Sequence, residues 1–170
     1  EVIRVMEDKL IDGGKARAQE WSETFTYVKN QVEKFLVKEP TDPRFFIRTG
    51  KLYNERGFIE PQYLAEAERV LRKAMELSPT RPDAYYELGV TYLEKKENDK
   101  ALDLFRHAVE LNPRNSRAHW VLGLAFLSLE RRQEGLAEIE KALELGYNWD
   151  SGSDISNLTQ IYASLEKFDK

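Results

Sequence analysis

His107 and His119 are the side chains best suited to acid–base or metal chemistry near neutral pH. They are not at i, i+4 spacing, so they do not share the helix face that a two-histidine metal site needs. Each reads as a packing or solvent-facing residue. Two carboxylates flanking a substrate could supply a general acid and a base, but such pairs need a cleft and pKa values pushed apart. Glu138 with Glu140, and Glu94 with Glu97, read instead as solvated helix faces. Gly13-Gly14, Gly50 and Gly57 lack the spacings of a phosphate-cradling loop. There is no Gly-x-Ser-x-Gly elbow. The absence of cysteine excludes disulfides, thiolate nucleophiles and Cys-based zinc or iron–sulfur centres. The reading is a non-enzyme, with no catalytic residue, no metal site and no cofactor.

The remaining chemistry is that of a surface, and composition limits which surface. The 170 residues carry 26 Lys and Arg against 30 Asp and Glu, a net charge of −4 with the signs interleaved. That balance lacks the basic patch on which nucleic-acid affinity depends. Hydrophobic residues are 41% of the chain, enough for a folded core. No apolar run approaches the roughly 20 residues of a membrane span, so direct membrane insertion is not expected. No signal peptide is visible. A start at Glu1 and a stop in mid-repeat fit a piece cut from a longer chain.

The elements that must build this surface repeat. Leu77-Ser78-Pro79 recurs as Leu111-Asn112-Pro113, at an offset of 34. The same offset pairs Ala67 with Ala101, Leu71 with Phe105, Ala74 with Ala108, and Leu88-Gly89 with Leu122-Gly123. Tyr85, Leu88 and Tyr92 stand at i, i+3, i+7, one buried helical stripe. Glycine inside a helix costs about 1 kcal/mol relative to alanine, so Gly89 and Gly123 imply close helix crossings. Pro79 and Pro113 stop helices. Asp99, Ser116 and Asp154 are the expected N-caps. Upstream, Trp21, Phe25, Val28, Val32 and Phe35 form an apolar stripe on a long helix from about Gly14 to Lys38. Residues 1–13 read as a short helix or a docking tail.

A 34-residue period with small, aromatic and proline residues in fixed places resembles the tetratricopeptide repeat, or TPR. Segment 82–115 carries the pattern most fully, with Tyr85, Leu88, Gly89 and Tyr92 on a first helix and Ala101, Phe105 and Ala108 on a second. Unit 116–151 departs with Gly135 where alanine is usual and with Leu145-Gly146-Tyr147 where the closing proline belongs. Unit 43–81 carries about five extra residues near Gly57–Pro61. Residues 152–170 read as a lone first helix. The resemblance implies an all-α fold, a right-handed superhelical α-solenoid of helix-turn-helix units over 43–170. Residues 1–42 precede it as a segment whose long helix caps the open end.

In this family the second, fifth, ninth, twelfth and thirteenth residues of each unit face a concave groove. Carried over by position, the resemblance implies Arg44, Ile47, Lys51, Asn54 and Glu55 from the first unit and Asp83, Tyr86, Val90, Leu93 and Glu94 from the second. The third gives Arg117, Trp120, Leu124, Leu127 and Ser128, and the last helix Ser153, Ser156, Gln160, Ala163 and Ser164. The expected function is a non-catalytic scaffold that binds a partner's helix or peptide there. Tyr86 and Trp120 are the expected anchors, free of the helix-pair core, and Arg44, Lys51 and Arg117 orient the ligand. A competing reading fills the groove with the N-terminal segment or a continuation of the chain. The clamp that relatives use for acidic chaperone tails is missing, because Glu87 and Val121 occupy its positions. Nor does Asn54 belong to a ladder of asparagines. A weaker resemblance, carried by 77–82 and 145–150, is to TPR tails of bacterial O-antigen-ligase-like membrane proteins, which implies catalysis outside this chain. The apolar face of a helix over 154–167 implies self-association.

Overall fold

The structure, a computed structural model, describes residues 18–38 and 40–148. These residues form seven helices and, among the described residues, no strand: α1 (Ala18–Leu36), α2 (Pro43–Gly57), α3 (Tyr63–Leu77), α4 (Pro82–Glu94), α5 (Asn98–Leu111), α6 (Ser116–Ser128) and α7 (Arg132–Glu144). None of them is long and apolar enough to cross a membrane. The chain divides into two compact units, Glu1–Pro113 and Arg114–Lys170. The expectations for residues 1–17 and for the final helix, with its N-cap at Asp154 and its self-associating face, lie outside the described residues.

In the first unit, proline starts two helices. Pro43 and Pro82 occupy the first turns of α2 and α4, where a missing N–H costs nothing. Asp42 caps α2 by accepting from the Arg44 backbone N–H at 2.9 Å. The helices α2 with α3, and α4 with α5, pair where side chains are absent. A Cβ on Gly50 would stand 2.3 Å from Leu71 Cγ, and one on Gly89 would stand 2.5 Å from Phe105 Cε1. Leu71 and Phe105 stand 34 residues apart and Gly50 and Gly89 stand 39 apart, the repeat period plus the five extra residues of the first pair, so one crossing maps onto the next.

Turns follow the same register. After α4 the chain reverses through Lys96, whose φ of 63° is left-handed, while Glu97 N–H donates to Tyr92 C=O at 2.8 Å. In the second unit Glu130 (φ 60°) and the bond from Arg131 N–H to Phe126 C=O repeat the motif. The N-cap expectations were one or two residues late. Glu97, not Asp99, occupies the cap position of α5. Asn115, not Ser116, caps α6, accepting from the backbone of Arg117 and Ala118. The turn between α2 and α3 runs over 58–62, against 95–97 in the next pair. It takes up two of the extra residues, the longer α2 and α3 take up the others, and it leaves Phe58 and Ile59 exposed.

Helix α1 packs on the α2/α3 pair. Phe25, Val28 and Val32 are buried, and the Phe25 ring meets Tyr63 and Tyr53 edge-on at 4.9 and 6.3 Å. The Arg56 guanidinium lies 5.2 Å over Phe25 and pairs with Glu60. Phe35 departs from the expected stripe: it is 44% exposed and leans on Phe45 at 4.6 Å. Trp21 lies on α1, with its side chain outside the described residues.

In the second unit α6 and α7 form one hairpin, crossing at Gly123 and Gly135. The missing proline after α7 has a substitute. Gly146 turns left-handed at φ 78°, and Tyr147 N–H closes on Ala142 C=O at 2.9 Å.

Candidate functional site

Helices α2 and α4 are fixed side by side by one buried amide. Asn54 Nδ2 donates to the Glu87 carbonyl at 2.9 Å, and Thr91 Oγ1 donates to Asn54 Oδ1 at 2.7 Å. Both side chains are buried. An amide buried in this way must be hydrogen-bonded, and here the fold supplies the partners. Asn54 therefore positions α4 against α2, with both ends of its side chain engaged inside the unit. This differs from its expected place among ligand-facing residues.

Around that tie, Ile47 and Lys51 on α2 and Val90 and Leu93 on α4 are half-buried. Lys51 Nζ is 4.0 Å from Glu55. Arg44 is exposed, and its guanidinium holds Asp42 at 2.8 Å. Tyr86 is 6% exposed. Glu94, one turn beyond Val90, is half-buried rather than solvated as expected. Burial pushes its carboxyl pKa up from the usual range, with Lys96 opposing only in part.

A second polar cluster joins α3 to the end of α4. Glu68 accepts from Lys95 Nζ at 2.6 Å, Tyr92 OH at 2.8 Å and Arg72 Nε at 3.0 Å. Burial alone would raise its carboxyl, but these three donors outweigh burial and bring it down to about 2. Every member has a partner within the cluster, so it reads as a helix-to-helix clasp.

In the second unit Trp120 is 2% exposed and packs in one core with Ile139 and Ala142. The Tyr147 ring stacks on it at 4.8 Å and 14°. Leu124 and Leu127 are partly buried against the same cluster, and Leu127 also lies over Gly135. Arg117 is exposed. The expectation that Tyr86 and Trp120 stand free of the core is corrected: both are buried, and Trp120 is among the largest fully buried side chains of the described residues. The signal that could have revealed this is Tyr147, an aromatic 34 residues after Pro113, in a slot where the repeat has proline.

The histidines do not assemble a site. His119 is 7% exposed, with Nδ1 2.6 Å from Glu138 Oε2, tying α6 to α7. His107 is exposed against the Tyr85 ring at 4.6 Å. Among the described residues no cluster of His, Asp and Glu is arranged to hold a metal.

Comparison with known proteins returns to the repeat. Two family models described as tetratricopeptide repeat match residues 63–119 and 97–148. No curated protein matches the chain in sequence. A thermophilic TPR protein of Thermus thermophilus aligns at 23% identity and TM-score 0.65, covering 80% of this chain and 70% of its own. The crystal structure of MamA aligns at 26% identity and TM-score 0.56, covering 72% of each chain. YrrB, described as a TPR protein with an unusual peptide-binding site, aligns at 22% and TM-score 0.58, covering 74% of this chain and 62% of its own. These matches bear on the repeat and not on the O-antigen-ligase-like resemblance. With the family models spanning α3 to α7 and the fold shared with these structures, the chain belongs to the tetratricopeptide-repeat family, whose members are in general non-catalytic protein-interaction modules.

Proposed function

We propose that this chain is a non-catalytic scaffold that holds a partner's helix or extended peptide on the first-helix faces of its repeats. The observation that carries the reading is the pairing of α2 with α4 through Asn54 and Thr91. It keeps the half-buried apolar side chains Ile47, Val90 and Leu93 on neighbouring helices that do not slide against each other. Preorganised apolar residues of this kind bind at low entropic cost. Lys51, with Arg44 at the start of α2, supplies polar edges. Leu124 and Leu127, with Arg117, offer the same repeat positions in the second unit. Tyr86 and Trp120 serve as buried backing to these faces rather than as free anchors.

The test uses the chain as bait, with partners compared by quantitative mass spectrometry. Val90→Asp and Leu93→Asp should each remove a specifically captured protein while the melting temperature stays close to that of the wild type. Arg69→Ala, on the exposed face of α3, should leave capture unchanged. Equal capture by all three variants would place binding elsewhere and overturn the proposal.

A further inference from the structure

Glu94 is the group on these faces that the fold leaves unanswered. It stands at i+4 from Val90 and next to Leu93, so it shares their stretch of α4. It is half-buried. Among the described residues its carboxylate makes no hydrogen bond and no ion pair, unlike the other acidic side chains nearby. Glu55 lies within reach of Lys51, Glu68 is held by three donors, and Glu97 holds Lys100 at 2.5 Å. A carboxylate taken partly out of water with no donor opposite is unfavourable in the free chain. Lys96, at the left-handed reversal two residues on, has an exposed side chain, and its charge offsets the burial of the carboxylate only in part.

We propose that Glu94 is the specificity residue of the first unit's face, and that the occupant is a peptide segment carrying an apolar side chain followed by a lysine or arginine. The apolar group seats on Val90 and Leu93, and the cation meets Glu94. This rests on the groove reading above and adds to it the charge of the partner. Charge complementarity selects the occupant: an acidic segment would bring a like charge to a desolvated carboxylate, which is strongly disfavoured. The raised carboxyl pKa agrees with this, because burial of the carboxylate outweighs the opposing charge of Lys96.

The probe is a displayed library of random twelve-residue peptides, selected in parallel on the wild-type chain and on Glu94→Gln, Glu94→Lys and Val90→Asp. Circular dichroism and thermal melts first establish that each variant is folded. The wild type should enrich peptides with Lys or Arg next to an apolar residue. Glu94→Gln should lose the preference for the cation, with the best selected peptide weakened about tenfold. Glu94→Lys should turn the preference towards Asp and Glu. If the wild type and Glu94→Gln select the same peptides with no basic enrichment, while Val90→Asp loses them, the Glu94 assignment is overturned and the groove reading stands. If Val90→Asp selects the same peptides as the wild type, the groove reading itself fails. If the folded wild type enriches nothing, both are overturned.

Discussion

Gly123 and Gly135 face each other across the α6/α7 crossing, and each is limited by the other's backbone. A Cβ on either would stand 2.9 Å from the carbonyl oxygen of its counterpart. On Gly135 it would also stand 2.7 Å from Leu127 Cγ. The glycine that departs from the repeat pattern is therefore what lets these helices meet. Gly135→Ala, which restores the residue usual in the family, should destabilise. Overpacking costs about 1–3 kcal/mol, and the better helix propensity of alanine returns about 1. The net expectation is a loss of about 1 kcal/mol, read as a lower melting temperature. An unchanged or higher value would show that the crossing relaxes freely.

Trp120 is a core residue, so its replacement reports on folding before it reports on binding. Trp120→Ala should remove the stacking partner of Tyr147 and open a cavity beside Ile139 and Ala142. Truncations of buried aromatic side chains cost about 3–5 kcal/mol. Chemical denaturation should show that loss in the transition of the second unit. A loss below about 1 kcal/mol would mean that Trp120 is not a structural side chain.

The division between what was legible in the sequence and what was not follows from where each constraint acts. Proline and glycine constrain the backbone locally, so Pro79, Pro113, Gly89 and Gly123 set helix ends and crossings from spacing alone. Asn54, Trp120 and Glu94 are different. Whether Asn54 faces a ligand or the fold depends on Glu87 and Thr91, more than thirty residues away. Whether Trp120 is free depends on Tyr147. A repeat position gives the average direction of a side chain, and these neighbours override it. Caps failed for a narrower reason. Asn115 and Ser116 are both good caps side by side, and only the extended backbone of Asn115 (φ −81°, ψ 99°) chooses between them.

Thr49 sits at the repeat position held by Leu88 and Leu122 in the next two units. It is fully buried, and its hydroxyl has no hydrogen-bond partner. A buried hydroxyl without a partner costs about 1–3 kcal/mol. Valine has nearly the same shape and nothing to satisfy. Thr49→Val should therefore stabilise by about 1 kcal/mol, seen as a higher denaturation midpoint with an unchanged slope. A lower midpoint would mean that the hydroxyl is satisfied by an internal water.

Glu68 gives the first unit a defined acid sensitivity. Its carboxyl titrates near 2 in the folded chain against 4.5 for the free group, because Lys95, Tyr92 and Arg72 outweigh the cost of burial. A folded-state pKa below the unfolded value means that the unfolded chain binds the proton first. The stabilisation is thus complete above about pH 4.5 and fades as pH falls through about 2. The cluster is partly open to solvent, so screening holds its worth to about 1 kcal/mol. Glu68→Gln should lower stability by about that amount at pH 7 and leave little difference from the wild type near pH 2. Urea denaturation at both pH values separates the outcomes. A gap between the two proteins that stays constant from pH 7 to pH 2 would show that the glutamate acts through packing and not through its charge.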